Sequence, residues 1–424
     1  MKKLIYLFFS CFFLFHCNIL SAQFNPIIDS LARYINADSL ARTVRDLENF
    51  GDRFATRDNK DVAEYLVQRL KSYGIDNAAI DSFRVTGSSF FTGEFDVNMY
   101  NVKGRISGSE QPDSVIIIGA HLDAISYNRY YQLYAQTPGA DDNASGIAVM
   151  IEMARIIHFH NLTPNISIDF MAFDGEELGL IGSDYDARYR KDSNENVLLM
   201  LNNDMVGYQP DTILWEVKLS WYDNSIDIVH KMREYCENYT AITPIIPDSA
   251  NNNIAKYSDS YSYYLEGFKT VFSSENWFSP YYHTLNDSST FLNYNYMADI
   301  ARMNFAALFD FSRLQLPIDT SDTPIDTTLP SAISLPSALS HYSIYPNPAT
   351  ERATLQISVN EETAIQIVIT DMTGRKIIEF PETTYASGNY NILINCSSLA
   401  SGLYFCRIME KNRVSTIKWI ISKS

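Results

Sequence analysis

The apolar positions of this chain change period along its length. Between Asp38 and Tyr73 they recur at helical spacing, first as Leu40, Val44, Leu47 and Phe50, then as Val62, Tyr65, Leu66 and Leu70. That spacing puts an apolar stripe on one helix face, so the stretch is expected to be helical. From Phe83 to Arg105 the pattern favours strands. Val115 to Ala120 reads VIIIGA, a short continuous apolar run of the kind expected for a strand buried on both faces of a parallel sheet. Ile166 to Phe173 (ISIDFMAF) and Leu198 to Met205 (LLMLNNDM) are expected to be further strands, with a helix over Gly146 to His158. Strands alternating with helices predict an α/β fold built on a mixed, mostly parallel sheet flanked by helices.

Beyond Leu314 the pattern changes again. Residues 314–340 are rich in Pro, Thr, Ser and Asp, and PIDT occurs in them twice, which predicts an extended linker. From about His341 the period becomes two. Leu355, Ile357 and Val359 alternate with polar residues, as do Ile365, Ile367 and Ile369, and turn signals at DMTGR and ASGNY separate the runs. A small C-terminal all-β sandwich is expected over 341–424. The N-terminus has a basic start (Lys2, Lys3), an apolar run from Ile5 to Leu20 and small residues at Ser21–Ala22. This predicts a signal peptide over 1–22, cleaved near Ala22, and therefore an exported chain. Residues 23–313 are then left for the catalytic domain.

Composition narrows the partners. A formal net charge of −17 over 424 residues argues against nucleic acid or an anionic membrane as the main partner. After the signal segment Cys236, Cys396 and Cys406 remain, an odd number that requires at least one free thiol in an exported chain. Cys396 and Cys406 are close enough in sequence to pair, and two buried thiols are an equal alternative.

The candidate chemistry sits where the apolar strands end. VIIIGA runs into His121 and Asp123, ISIDFMAF into DGEELGL with Glu176 and Glu177, and LLMLNN into Asp204. PGADDNASG places Asp142 directly before a helix, and SPYYHTLND carries His283. Ligands of open α/β sheets bind at the carboxyl ends of the strands. A lone histidine there is usually a core or surface residue, and paired acids usually cap a helix. Five such groups at successive strand ends are hard to explain as caps. Imidazole and carboxylate without thiolate suit catalytic zinc. Asp142 is placed to bridge two ions, with His121 and Asp204 for one and Glu177 and His283 for the other. Glu176, adjacent to a ligand, is placed to take a proton from water and pass it to a leaving amine. Asp123 is placed to hold the other nitrogen of His121.

The run HLD, PGADDNASG, FMAFDGEELGL, LNNDMVGY and YHTLND resembles the M28 family of co-catalytic zinc aminopeptidases, from about Asp38 to Ser312. The resemblance implies a zinc-exopeptidase fold and two Zn²⁺ per chain. It gives His121, Asp142, Glu177, Asp204 and His283 as ligands, Glu176 as general base and Asp123 behind His121. The implied reaction is removal of N-terminal residues from peptides by a di-zinc-activated water. The resemblance also implies a cis peptide at Asp142–Asn143. Several family members carry SDH before an aromatic residue. Here Ser258 and Asp259 match and Ser260 replaces the histidine, which bears on substrate contacts. Tyr257, Asp259 and Glu275 are the substrate-side candidates, Tyr257 for an oxyanion and Glu275 for the substrate amine. IYPNPATERATL, DMTGR and LASGLYFCRI resemble a type IX secretion type A sorting domain, a family of Bacteroidetes. This implies the type IX machinery as partner, export across the outer membrane, and a secreted or cell-surface location. Alternatives are a one-zinc glutaminyl cyclase on the same fold and a non-catalytic binding module.

Overall fold

The computed structural model describes residues 24–210, 214–317, 341–345, 349–359, 362–371, 375–410 and 413–423. The expected signal segment lies outside the described residues, as do most of the expected linker and the centre of the DMTGR turn. The chain divides into two compact units near residue 318.

The first unit opens with helices α1 (Pro26–Ala32), α2 (Ala37–Glu48) and α3 (Lys60–Lys71). The helical stretch expected over Asp38 to Tyr73 is thus two helices. The break contains Gly51 and Asp58, both at positive φ, and Arg53, which is fully buried. A sheet and its helices follow: β1 (Ala79–Ser89), β2 (Gly93–Ile106), β3 (Gln111–His121), α4 (Ala144–Phe159), β4 (Ile166–Phe173), α5 (Ile181–Asp192) and β5 (Asn196–Asn203). Then come β6 (Glu216–Ser220), α6 (Ile226–Tyr239), β7 (Thr243–Ile245), α7 (Ser260–Leu265), β8 (Thr270–Glu275) and α8 (Tyr294–Phe311). The eight strands form one sheet in the order β1-β2-β4-β3-β5-β8-β6-β7. Its centre, β4-β3-β5-β8, is parallel throughout, while β1–β2, β2–β4 and β6–β8 are antiparallel.

The unbroken apolar run of β3 follows from burial on both faces. Ile116, Ile118 and Ala120 join the larger core with α4 and α8, whereas Val115 and Ile117 join a smaller cluster with Ala187 of α5 and Tyr263 of α7. A strand with helices on both sides has no face left for polar residues. The expected linker begins later than its composition predicts. Leu314 is buried, and Gln315 exchanges two backbone hydrogen bonds with Thr163, so residues 314–317 still belong to this unit.

The start of α4 is fixed to the end of β5. Asn143 Oδ1 accepts from Gly146 N (2.9 Å), and Asn143 Nδ2 donates to the Asn203 carbonyl (3.0 Å). The Asp142–Asn143 peptide is cis, as the resemblance implies. A Cβ on Gly146 would lie 2.1 Å from the Asn203 carbonyl oxygen, so only glycine allows this approach. We predict that Gly146→Ala destabilises the chain by about 1–3 kcal/mol, the usual result of overpacking a rigid contact. A melting temperature equal to wild type would contradict this close approach.

The second unit has a three-stranded and a four-stranded sheet, ordered β13-β10-β9 and β12-β11-β14-β15. The strands are β9 (His341–Tyr345), β10 (Arg352–Val359), β11 (Thr363–Asp371), β12 (Lys376–Tyr385), β13 (Gly388–Asn395), β14 (Gly402–Glu410) and β15 (Arg413–Ile421). Leu355, Ile357, Val359, Ile365, Ile367 and Ile369 are all buried in one core shared by the two sheets, as their alternation predicts. Cys236, Cys396 and Cys406 are all free and buried, which decides between the two readings of the cysteine pair.

Candidate metal centre

The topology brings the predicted residues to one end of the parallel strands. His121 is the last residue of β3, and Asp204 directly follows β5. Glu176 and Glu177 lie in a single turn after β4, which Gly175 enters with φ 80. Asp142 precedes α4, and His283 lies in the loop after β8. Each of these chain ends is a point where backbone direction changes. The side chains there are free to face the crevice rather than the sheet.

Asp142 is the centre of the group. Its Oδ1 lies 3.1 Å from His121 Nε2 and its Oδ2 lies 3.1 Å from His283 Nε2. Each histidine nitrogen also meets a second carboxylate, His121 with Asp204 Oδ1 at 3.3 Å and His283 with Glu177 Oε2 at 3.0 Å. The result is two imidazole–carboxylate half-sites that share one aspartate. Ligand-type atoms of His121, Glu176 and Asp204 lie within 4.8 Å of one another, and so do those of His121, Asp142 and Glu177. Glu177 Oε1 is buried without a hydrogen-bond partner, an expensive arrangement for a group with nothing to bind. Nitrogen and oxygen donors facing inward from a rigid frame, one of them unsatisfied, fit zinc.

The electrostatics point the same way. Burial raises Asp142, but hydrogen bonds from His121 and His283 outweigh it and hold the carboxyl below the usual range. Burial would lower His283, yet Glu177 and Asp142 push it up to about 12. Burial pushes Glu177 up to about 7 against the pull of His283. It pushes Glu176 well above the carboxylate range, opposed by His121 and reinforced by Glu177 and Asp204. Protons here compensate a concentration of negative charge that cations would otherwise satisfy.

An outer layer positions these groups. His121 Nδ1 is 3.1 Å from the Asp123 carbonyl and 3.5 Å from its carboxylate. The same carboxylate accepts from the backbone N–H groups of Glu176 (3.1 Å) and Glu177 (3.2 Å), so Asp123 fixes the acidic turn as well as the imidazole. Four further residues were given no role by sequence reasoning, although Ser258 was named as part of a motif. Tyr127 Oη lies 3.1 Å from His283 Nδ1. Ser258 Oγ donates to Asp204 Oδ2 (2.6 Å) and is itself held by Asn202 Nδ2 (2.6 Å). Asp287 accepts from the N–H groups of Asp141 (2.8 Å) and Asp142 (3.1 Å). Buried Arg53 donates to the carbonyls of Leu122, Pro138 and Gly139, tying the loop before Asp142 to the strand end after His121. The HTLND and YSDS motifs contain Asp287 and Ser258, so a signal existed for those two. Nothing local marks Tyr127 or Arg53.

The three substrate-side candidates differ in their surroundings. Asp259 is fully buried, neither of its carboxylate oxygens has a hydrogen-bond partner, and burial raises it to about 7 against the pull of His121. Glu275 lies along the cavity next to the ligand cluster, but its carboxylate accepts from the backbone N–H groups of Tyr208 (3.0 Å) and Ser279 (2.9 Å). Those bonds fix the orientation of its carboxylate in the cavity wall. Tyr257 lines the cavity and is 75% exposed, so it is not a core packing residue.

Comparison with known proteins agrees with this geometry. Residues 101–308 match the model of peptidase family M28, and residues 343–422 match that of a secretion system C-terminal sorting domain. A probable zinc metalloprotease of Pyrenophora teres f. teres is 34% identical over 193 residues, 42% of this chain and 41% of that one. A probable leucine aminopeptidase of Arthroderma otae is 28% identical over 297 residues, 67% of this chain and 74% of the other. The chain therefore spans about two fifths of the first relative and about three quarters of the second. Among solved structures, the LapA aminopeptidase of Legionella pneumophila superposes with a TM-score of 0.56 at 21% identity, covering 68% of this chain and 76% of that one. No helix among the described residues is long and apolar enough to cross a membrane. Residues 101–308 thus belong to peptidase family M28, and they are followed by a secretion system C-terminal sorting domain.

Proposed function

We propose that this chain is an exported aminopeptidase that binds two zinc ions and removes N-terminal residues from peptides. One observation carries the reading: Asp142 turns one oxygen to each of two histidines, and each histidine has its own second carboxylate. His121 and Asp204 would hold one ion, Glu177 and His283 the other, with Asp142 between them. Bound zinc supplies Lewis acidity toward a carbonyl and lowers the pKa of water. The chain's own residues supply the rest. Glu176 lines the cavity and holds a proton more readily than an exposed carboxylate, so it can take one from water and return it to the leaving amine. The acidic centre favours a cationic substrate amine. Asp123 and Tyr127 orient the imidazoles, and Ser258 orients Asp204. The sorting domain supports export with the type IX machinery as partner.

The requirement for a free amine tests the reading. We expect the zinc-loaded chain to hydrolyse aminoacyl-nitroanilides and to leave their N-acetylated forms intact, with activity lost to a chelator. Equal cleavage of the blocked substrates would contradict the aminopeptidase reading. The rival glutaminyl cyclase would need one ion only, and the completeness of both half-sites favours the peptidase.

A further inference from the structure

Beside the ligand cluster lies a cavity of about 230 Å³. Asp142, Glu176, Asp204 and Glu275 are its acidic lining residues. Met205, Ile254, Phe272 and Phe278 are among its walls, and Lys218 is its one basic lining residue. The sheet register places Lys218. It pairs with Ser274 across the antiparallel β6–β8 ladder, and Asp204 N donates to the neighbouring Ser273 carbonyl (3.1 Å). Order β5-β8-β6 then sets the Lys218 backbone about 10 Å, two strand spacings, from the end of β5.

Lys218 is half-buried and, among the described residues, pairs with no carboxylate, whereas Lys103, Lys231 and Lys269 of the same unit do. Its acidic neighbours are engaged elsewhere. Glu216, two residues away on the same strand face, accepts from Asn276 Nδ2 (2.8 Å). Glu275 lines the same cavity, but it is paired with Val217 rather than Lys218 in the register, and both its carboxylate oxygens accept from backbone N–H groups. The cavity therefore combines the carboxylates of the ligand cluster, apolar walls and a cation that has no carboxylate partner among the described residues.

We propose that this cavity takes the first side chain of the peptide and that Lys218 selects an anionic one, aspartate or glutamate. The proposal rests on the aminopeptidase reading and names its substrate class. The apolar walls fit the methylene groups of such a side chain, and its carboxylate completes the pairing that Lys218 lacks. A purely apolar side chain would leave the ammonium without that partner.

The test is steady-state hydrolysis of Glu-, Gln-, Leu- and Lys-nitroanilides by the zinc-loaded full chain, by Lys218→Met and by Lys218→Glu. Competition by free L-glutamate against L-glutamine gives a readout of binding alone. In the wild type, kcat/KM for Glu should exceed that for its neutral isostere Gln by about fivefold, the discrimination of one partly exposed ion pair. The ratio should fall to about one in Lys218→Met, and Lys218→Glu should turn the preference toward Lys. A wild-type Glu/Gln ratio near one, with Leu cleaved well, overturns the inference and leaves the aminopeptidase reading standing. A ratio that survives in Lys218→Met overturns the assignment to Lys218. No hydrolysis of any substrate overturns the aminopeptidase reading and this inference with it. Melting curves report whether the variants fold; if neither does, the wild-type ratio decides alone.

Discussion

Glu176→Gln should lower kcat by about 10²–10⁴-fold, the range for removal of a general acid–base, while metal content stays at the wild-type level. The substitution keeps the volume and one oxygen of the side chain, so it removes the proton-carrying role and little else. The turn that holds residue 176 should persist, because Asp123 binds it through backbone N–H groups that glutamine retains. KM should change little, since the lost interaction belongs to proton transfer and not to ground-state binding. Metal analysis beside kinetics separates the outcomes. A large loss of kcat with metal retained supports the role. Activity near wild type would mean that another group moves the proton, and joint loss of metal and activity would make Glu176 a ligand instead.

Asp142→Ala should be more damaging still, because one carboxylate serves both half-sites. We expect the variant to bind well under one zinc per chain. Its activity should fall by more than the roughly 10–100-fold that loss of an outer-shell partner costs. His121→Ala and His283→Ala each remove a group from one half-site, so each should leave about one ion. The contrast matters more than any single value. If Asp142→Ala retained an ion as well as either histidine variant does, the shared-aspartate arrangement would be wrong. The fold should survive, since Asp287 holds the main chain at residues 141 and 142 through its own carboxylate.

What the sequence discloses follows from what is local. VIIIGA and ISIDFMAF announce buried strands because burial on two faces leaves no polar position in the run. The residues that end those strands, His121 and Glu176–Glu177, can then be placed together by the rule that ligands bind at strand ends. Leu355, Ile357 and Val359 announce a half-buried sheet in the same way. The residues that sequence reasoning missed act across long chain separations. Tyr127 meets His283 only because two loops fold over the same crevice. Arg53 reads as an ordinary charged residue in a break between helices, yet it is buried among carbonyls up to 86 residues away. The surroundings of Asp259 and Glu275 were hidden for a related reason: only the fold reveals that Asp259 is fully buried and that Glu275 is held by the N–H groups of Tyr208 and Ser279. Lys218 carries no motif at all; its interest comes from the ladder that sets it opposite Ser274.

The most direct measurement is the zinc content of the purified wild-type chain after metal loading and removal of loosely bound ions. Two complete half-sites sharing Asp142 predict two zinc ions per chain. A single ion would contradict the shared-aspartate centre and favour the cyclase, and none would leave a binding module on this scaffold.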